Sequence, residues 1–195
     1  MRRDEALNLV TSWTKNKNLV KHMLAVEAQM KGIYEYLRKE DKSDESVRNL
    51  LVDDWALAGL IHDADYDKWP DEHPKKTLKE LKKRGAPDWL YNAVETHAWK
   101  YNGIEKEPST KLEWALYTCD ELSGFIIACA LVRPNKKLSE VTVDSVLKKW
   151  PQKAFAKGVH REQIELCEEK LGIKLGEFIA ICLKALQDIS ADLGL

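Results

Sequence analysis

Five histidines, at positions 22, 62, 73, 97 and 160, are the residues of this chain best suited to hold a metal ion or move a proton. His62 is followed directly by Asp63, and the pair closes the most apolar segment of the sequence, Trp55 to Ile61. An imidazole and a carboxylate entering such surroundings lose their water and need partners. A metal ion is one partner that serves both. His22 stands in the middle of a helical stretch, one residue before Met23, where a hydrogen-bonded core histidine and a ligand are both open readings. Asp120 lies mid-helix between Leu116 and Leu122. Aspartate has poor helix propensity and is rarely buried alone, so a salt bridge and metal ligation are the two explanations for it. His97 sits beside apolar residues in Val94 to Trp99, and His73 lies between Glu72 and Pro74. His160, far along the chain, reads as a surface residue.

The elements that must position these groups are helical almost throughout. Apolar residues recur at helical spacing, and there is neither a period-2 run nor an Asn-Gly or Asp-Gly hairpin between strand-like segments. A first helix is expected from about Asp4 to Thr14, with Asp4 as its cap. A second begins after Asn18 and carries Leu19, Met23, Val26, Met30, Ile33 and Leu37 on one face. A third follows Asp44 or Ser46 and runs through Ile61. Residues 64–74 read as a loop rich in aspartate and proline. Shorter helices are expected over Thr77–Arg84 and Pro87–Tyr101. After Pro108, Ser109 or Thr110 caps a long helix reaching about Val132. Residues 139–195 read as three more helices, about Val143–Trp150, Arg161–Leu171 and Lys174–Leu193. The expected fold is all-α, as one domain over residues 1–195.

Composition narrows the function. The 195 residues include 31 basic and 32 acidic ones, for a net charge of −1. That leaves no basic field for a nucleic acid polymer. The longest uncharged apolar run, Gly124 to Val132, has nine residues, against about 20 for a membrane span. Met1 to Glu5 lead into no apolar core of signal-peptide type. A cytoplasmic protein is therefore expected. Cys119, Cys129, Cys167 and Cys182 form no Cys-x-x-Cys pair and sit in apolar helical stretches, as buried free thiols do. No phosphate-binding or dinucleotide glycine pattern is present.

The order His22, His62-Asp63, Asp120 resembles that of the HD-domain superfamily of metal-dependent phosphohydrolases. The segments Leu57-Ala-Gly-Leu-Ile-His-Asp63 and Leu116-Tyr-Thr-Cys-Asp-Glu-Leu-Ser-Gly124 look like that family's helix ends and helix centre. The resemblance covers about residues 19–132. The remainder, about 139–195, is similar at Ser145-Val-Leu-Lys-Lys149 and Phe155-Ala-Lys-Gly-Val-His-Arg161 to a helical extension found in small HD proteins. The resemblance implies a helical bundle with His22, His62, Asp63 and Asp120 holding one metal. In two-metal HD proteins two further histidines join; His73 and His97 occupy those places, and Asp63 would bridge the ions. Imidazole and carboxylate without thiolate favour Mn, Fe, Co, Ni or Zn as one or two divalent ions. Such ions make hydroxide available near neutral pH and suit hydrolysis of a phosphate ester.

The implied substrate is a nucleotide or another small phosphorylated metabolite, with the oligomeric state open. Many HD enzymes carry Glu or Lys three residues after the motif aspartate, where this chain has Tyr66. Asp63 is then the expected catalytic carboxylate, and Asp65 or Asp67 a candidate for handling the proton. Lys75 and Lys76, close after His73, and Lys100, three residues after His97, are candidate phosphate contacts. Two other readings share the ligand order. One is a di-iron oxygenase of the same fold. The other is a metal-stabilised module that binds a nucleotide or protein without catalysis, which the tyrosine at position 66 keeps open.

Overall fold

The computed structural model describes residues 1–195 and contains eleven α-helices and no strand. They are α1 (Arg3–Trp13), α2 (Lys17–Glu40), α3 (Glu45–Asn49), α4 (Val52–Ile61), α5 (Lys75–Lys83), α6 (Asp88–Thr96), α7 (Lys111–Leu131), α8 (Val143–Lys149), α9 (Arg161–Leu166), α10 (Leu175–Asp188) and α11 (Ser190–Leu193). The fold is all-α, as the periodicity predicts.

Three helices carry the architecture. In α2 the side chain of Asn16 accepts the Asn18 N–H and starts the helix. Met23, Val26, Met30, Ile33 and Leu37 are all buried along one face. Helix α4 is buried around its whole circumference from Trp55 to Ile61, as expected of a helix with no polar face. It packs against α1, α2 and α6. Its crossing with α2 is close enough to demand glycine: a Cβ on Gly59 would lie 2.8 Å from the Val26 carbonyl oxygen and 2.9 Å from the Glu27 nitrogen. Helix α7 starts at Thr110, whose side chain accepts the Glu113 N–H. By length and composition α7 could cross a membrane, but 67% of its apolar window is buried within the bundle. One continuous hydrophobic cluster runs from Ala6 to Leu193, so residues of the extension share the core of the rest. There α10 packs on α2 and α9 on α7. All four cysteines are buried and free.

Several boundaries differ from the periodicity. The expected third helix is two, separated at Leu50 and Leu51, both extended. The Asp54 carboxylate accepts the Leu51 N–H and restarts the chain as α4, while the Tyr34 hydroxyl donates to the Leu50 carbonyl. The first helix is capped at Arg2 rather than Asp4. The helix expected to reach Tyr101 stops at Thr96. Lys100, Asn102 and Gly103 then take positive φ values of 69°, 46° and 77°, which a helix cannot contain. The stretch expected as Lys174–Leu193 is divided into α10 and α11.

Candidate metal centre

Helices α2, α4 and α7 converge on His22, His62, Asp63 and Asp120. The close crossing at Gly59 sets His62, at the end of α4, beside His22 on α2. Their Nε2 atoms are 3.3 Å apart. Asp120 reaches in from α7, with Oδ1 2.9 Å from His22 Nε2 and 3.5 Å from His62 Nε2. Asp63 Oδ2 lies 3.6 Å from each of these nitrogens. This is the first donor set.

The second set is built from turns. His73 lies in the segment before α5 and His97 caps the C-terminus of α6. Their Nε2 atoms are 3.0 Å apart. Asp63 Oδ1 lies 3.3 Å from His73 Nε2 and 3.5 Å from His97 Nε2. The two oxygens of Asp63 therefore face different sets, as a bridging carboxylate does.

The residues fit divalent ions, and the outer nitrogens of the four rings are the reason. His62 Nδ1 faces the Gly59 carbonyl at 2.8 Å, and His97 Nδ1 the Val94 carbonyl at 2.5 Å. His73 Nδ1 faces Asp65 Oδ1 at 2.7 Å. His22 Nδ1 faces Ser123 Oγ at 2.9 Å, and that hydroxyl donates to the Asp120 carbonyl. Each of these oxygens accepts, so each Nδ1 must carry the proton and donate. In each neutral ring the Nε2 is left with its lone pair turned inward, the arrangement that orients metal-binding histidines. Lone pairs 3.0 to 3.3 Å apart repel unless a cation lies among them. Neighbouring donors around an octahedral ion with bonds of about 2.1 Å stand about 3 Å apart. The observed donor separations begin at that value.

The electrostatics agree. Burial alone would raise the Asp120 carboxyl, but His62 and His22 outweigh it and hold it well below the usual range. Asp63 is held low in the same way, with burial outweighed by His62, His97 and His73. Burial would lower His62, but Asp63 and Asp120 push it up to about 9. His97 is lowered, by burial first and then by the neighbouring His73 and His62 against the pull of Asp63. The centre keeps its carboxylates charged and draws positive charge inward.

A cavity of about 730 Å³ opens beside the two sets, within the range that takes a small organic ligand. Asp63, His73, His97 and Asp120 form part of its wall. Tyr66, Trp99, Tyr101 and Tyr117 add aromatic faces.

Several expected site residues stand elsewhere. Asp67, a candidate for the proton, holds the link between α1 and α2 instead: its Oδ2 accepts the Lys15 and Asn16 N–H groups at 2.7 and 3.0 Å. Asp65 is fully buried and saturated by His73 Nδ1 and the Lys76 and Thr77 N–H groups. It orients His73 and does not line the cavity. Lys75 lines a separate groove with Leu78 and Tyr91. Lys76 pairs with Glu72 at 2.8 Å. Lys100 does line the main cavity, but from a turn and not from the helical face of His97, and its Nζ lies 3.8 Å from the Trp99 ring centre.

Other participants were not singled out by sequence reasoning. Ser123 could have been found, since it stands three residues after Asp120 on the same helical face. Gly59 bears the same relation to His62. Asn102 could not: its side-chain amide donates to the Pro70 and His73 carbonyls at 2.9 and 2.8 Å, tying the turn after His97 to the segment of His73. Glu121, in the cavity wall, has its carboxyl raised by burial and by Asp120. His160 is exposed, as expected, yet it stands on the rim of this cavity.

No curated protein and no solved structure shows a significant match to the chain. The family model for the HD domain matches residues 19–124, more than half of the sequence, and spans the helices that bring all six donors together. The chain therefore belongs to the HD domain family.

Proposed function

We propose that this protein is a metal-dependent phosphohydrolase acting on a small organic phosphate ester. The observation that supports the reading most is the divided use of Asp63, with one carboxylate oxygen toward His22, His62 and Asp120 and the other toward His73 and His97. Divalent Mn, Fe, Co, Ni or Zn held by these residues supplies Lewis acidity toward a phosphoryl oxygen and makes water nucleophilic near neutral pH. The reaction adds water across the phosphorus–oxygen ester bond and releases phosphate and the alcohol. Ser123, Gly59, Val94 and Asp65 fix the four imidazole tautomers, so the donors meet the substrate without reorganising. With Asp65 and Asp67 engaged elsewhere, Glu121, His160 and Glu162 on the cavity wall are available to move protons. Buried free thiols and a metal site without thiolate suit the reducing conditions of a cytoplasm.

The test is a metal analysis of protein purified without chelator, followed by a phosphate-release screen with Mn²⁺, Co²⁺ or Ni²⁺. The expected result is up to two ions per chain and turnover of at least one phosphate monoester. Asp63→Ala should lose both ions and reduce turnover at least a thousandfold. Full occupancy by iron with turnover that requires O₂ would replace this reading by an oxygenase. A metal-loaded protein that hydrolyses nothing in a broad panel would leave a binding module.

A further inference from the structure

Residues beyond the family match reach the cavity. Gly158, His160, Glu162, Gln163 and Leu166 line it beside Tyr117 and Glu121 of α7. This segment is fastened. The Arg161 guanidinium donates to the carbonyls of Trp150, Gln152 and Phe155 at 2.8, 3.1 and 2.6 Å. It also lies 4.8 Å from the centre of the Phe125 ring. The His160 N–H donates to Glu121 Oε2 at 3.0 Å, and Gln163 Nε2 donates to the Tyr117 carbonyl at 2.6 Å. The last two bonds join the extension to α7 next to Asp120. They hold the wall in register with the metal donors.

The charge of the wall is informative. Apart from the metal donors, the cavity carries the carboxylates of Glu121 and Glu162, a single lysine, Lys100, and the imidazole of His160, whose Nδ1 lies 3.2 Å from Glu162 Oε1. No arginine lines it. A phosphate at the donor sets would be matched by the divalent ions that His22, His62, Asp63, His73, His97 and Asp120 would hold. The rest of the same molecule meets carboxylates and the aromatic side chains of Tyr66, Tyr101 and Tyr117. Carboxylates repel a second anionic group, and aromatic faces attract a cation.

We propose that residues 158–166 form the specificity wall of the cavity and, chiefly through Glu162, select a small organic monophosphate whose far end is cationic over one whose far end carries a carboxylate or second phosphate. Arg161 is the positioning residue of that wall. The inference rests on the phosphohydrolase reading for its substrate but can be measured without turnover.

The experiment uses the full chain loaded with Mn²⁺ and two probes of similar size, phosphoethanolamine and phosphoglycolate. Calorimetry gives both dissociation constants, and phosphate release gives kcat/KM. The expected preference for phosphoethanolamine is roughly tenfold, from reversing the charge that meets Glu121 and Glu162 in a partly solvated cavity. Glu162→Lys, at an exposed position that folding does not require, should reduce the affinity ratio roughly tenfold. Glu169→Lys, the same charge change on an exposed residue away from the cavity, should leave it unaltered. Equal affinities, no measurable binding of phosphoethanolamine, or a ratio unmoved by Glu162→Lys overturns the proposal. If the affinity ratio behaves as expected while neither ester is hydrolysed, the wall stands and the phosphohydrolase reading fails for this substrate class. If both esters are hydrolysed without preference, the phosphohydrolase reading stands and the selective wall is overturned.

Discussion

The two donor sets share Asp63 but are built by different physics. The first takes its side chains from α2, from the end of α4 and from α7, three helices whose mutual packing fixes the geometry. Its precision comes from buried apolar contacts and from one glycine that lets two backbones approach. The second takes His73 and His97 from the ends of short elements, where packing alone leaves the chain free to shift. Polar tethers hold them in place: Asp65 grips the His73 ring and the start of α5, and Asn102 joins the two turns. A site made by packing is disturbed through volume. A site made by tethers is disturbed by removing single hydrogen bonds.

The largest effect should come from attacking the packing. Gly59→Val places methyl groups where even a Cβ would be 2.8 Å from the Val26 carbonyl oxygen. Forced overpacking of this kind costs about 1–3 kcal/mol or more. Because α4 leads directly into His62 and Asp63, both ions should be lost together with a fall in melting temperature. Normal metal content at an unchanged melting temperature would show that the crossing is not what sets the first site.

Single-ligand variants come next. His73→Ala should lower the metal count from two toward one and leave the first set filled. His22→Ala should do the converse, emptying the first set. If either variant loses both ions, the sets are one cooperative unit and the contrast between them fails. Smaller again is Asp65→Asn. It keeps the size of the side chain but weakens the grip on His73, and orienting partners of this kind are worth about 10- to 100-fold in metal affinity. Only the binding step of the second set in a calorimetric titration should change.

The finest distinction is in pH. His62 of the first set is pushed up from its ordinary 6.5 to about 9, while His97 of the second is held below its ordinary value by burial and the neighbouring rings. A group whose folded pKa is raised adds stability that is fully present below its unfolded pKa and lost as pH rises through the folded one. In chelator-treated protein the melting temperature should therefore decline between pH 6.5 and 9. Metal entering the first set must displace the His62 proton, so its affinity should tighten as pH climbs toward 9. His97 holds no such proton in that window. The check is melting temperature and metal affinity measured across about pH 6 to 9.5, a range that brackets both His62 values. A flat profile for the first set would contradict this charge balance.

Much of the helical framework was visible in local pattern. The buried face of α2 follows its spacing, Thr110 starts α7, and the cysteines lie inside. The breaks were not visible. Leu50 and Leu51 are good helix residues, and what separates α3 from α4 is the Asp54 cap together with the Tyr34 hydroxyl reaching the Leu50 carbonyl from α2. Asp67 looked like a cavity residue because it follows the His-Asp pair, yet its partners are backbone groups some fifty positions earlier. Lys75 and Lys76 follow His73 closely, but their side chains go elsewhere, that of Lys75 to a separate groove and that of Lys76 to Glu72. Side-chain direction at a helix start depends on the helix axis, which no short window of sequence specifies.

By itself the sequence determined the donor types, their order along the chain and the helices that carry most of them, because those follow from residue chemistry and a period of about 3.6. Tertiary structure alone decided that Asp63 faces two sets at once, that Asp65 serves a histidine rather than a substrate, and that residues 158–166 close one side of the cavity. Each of those depends on where separate helices cross, and the crossings are set by the packing of the whole core around positions such as Gly59.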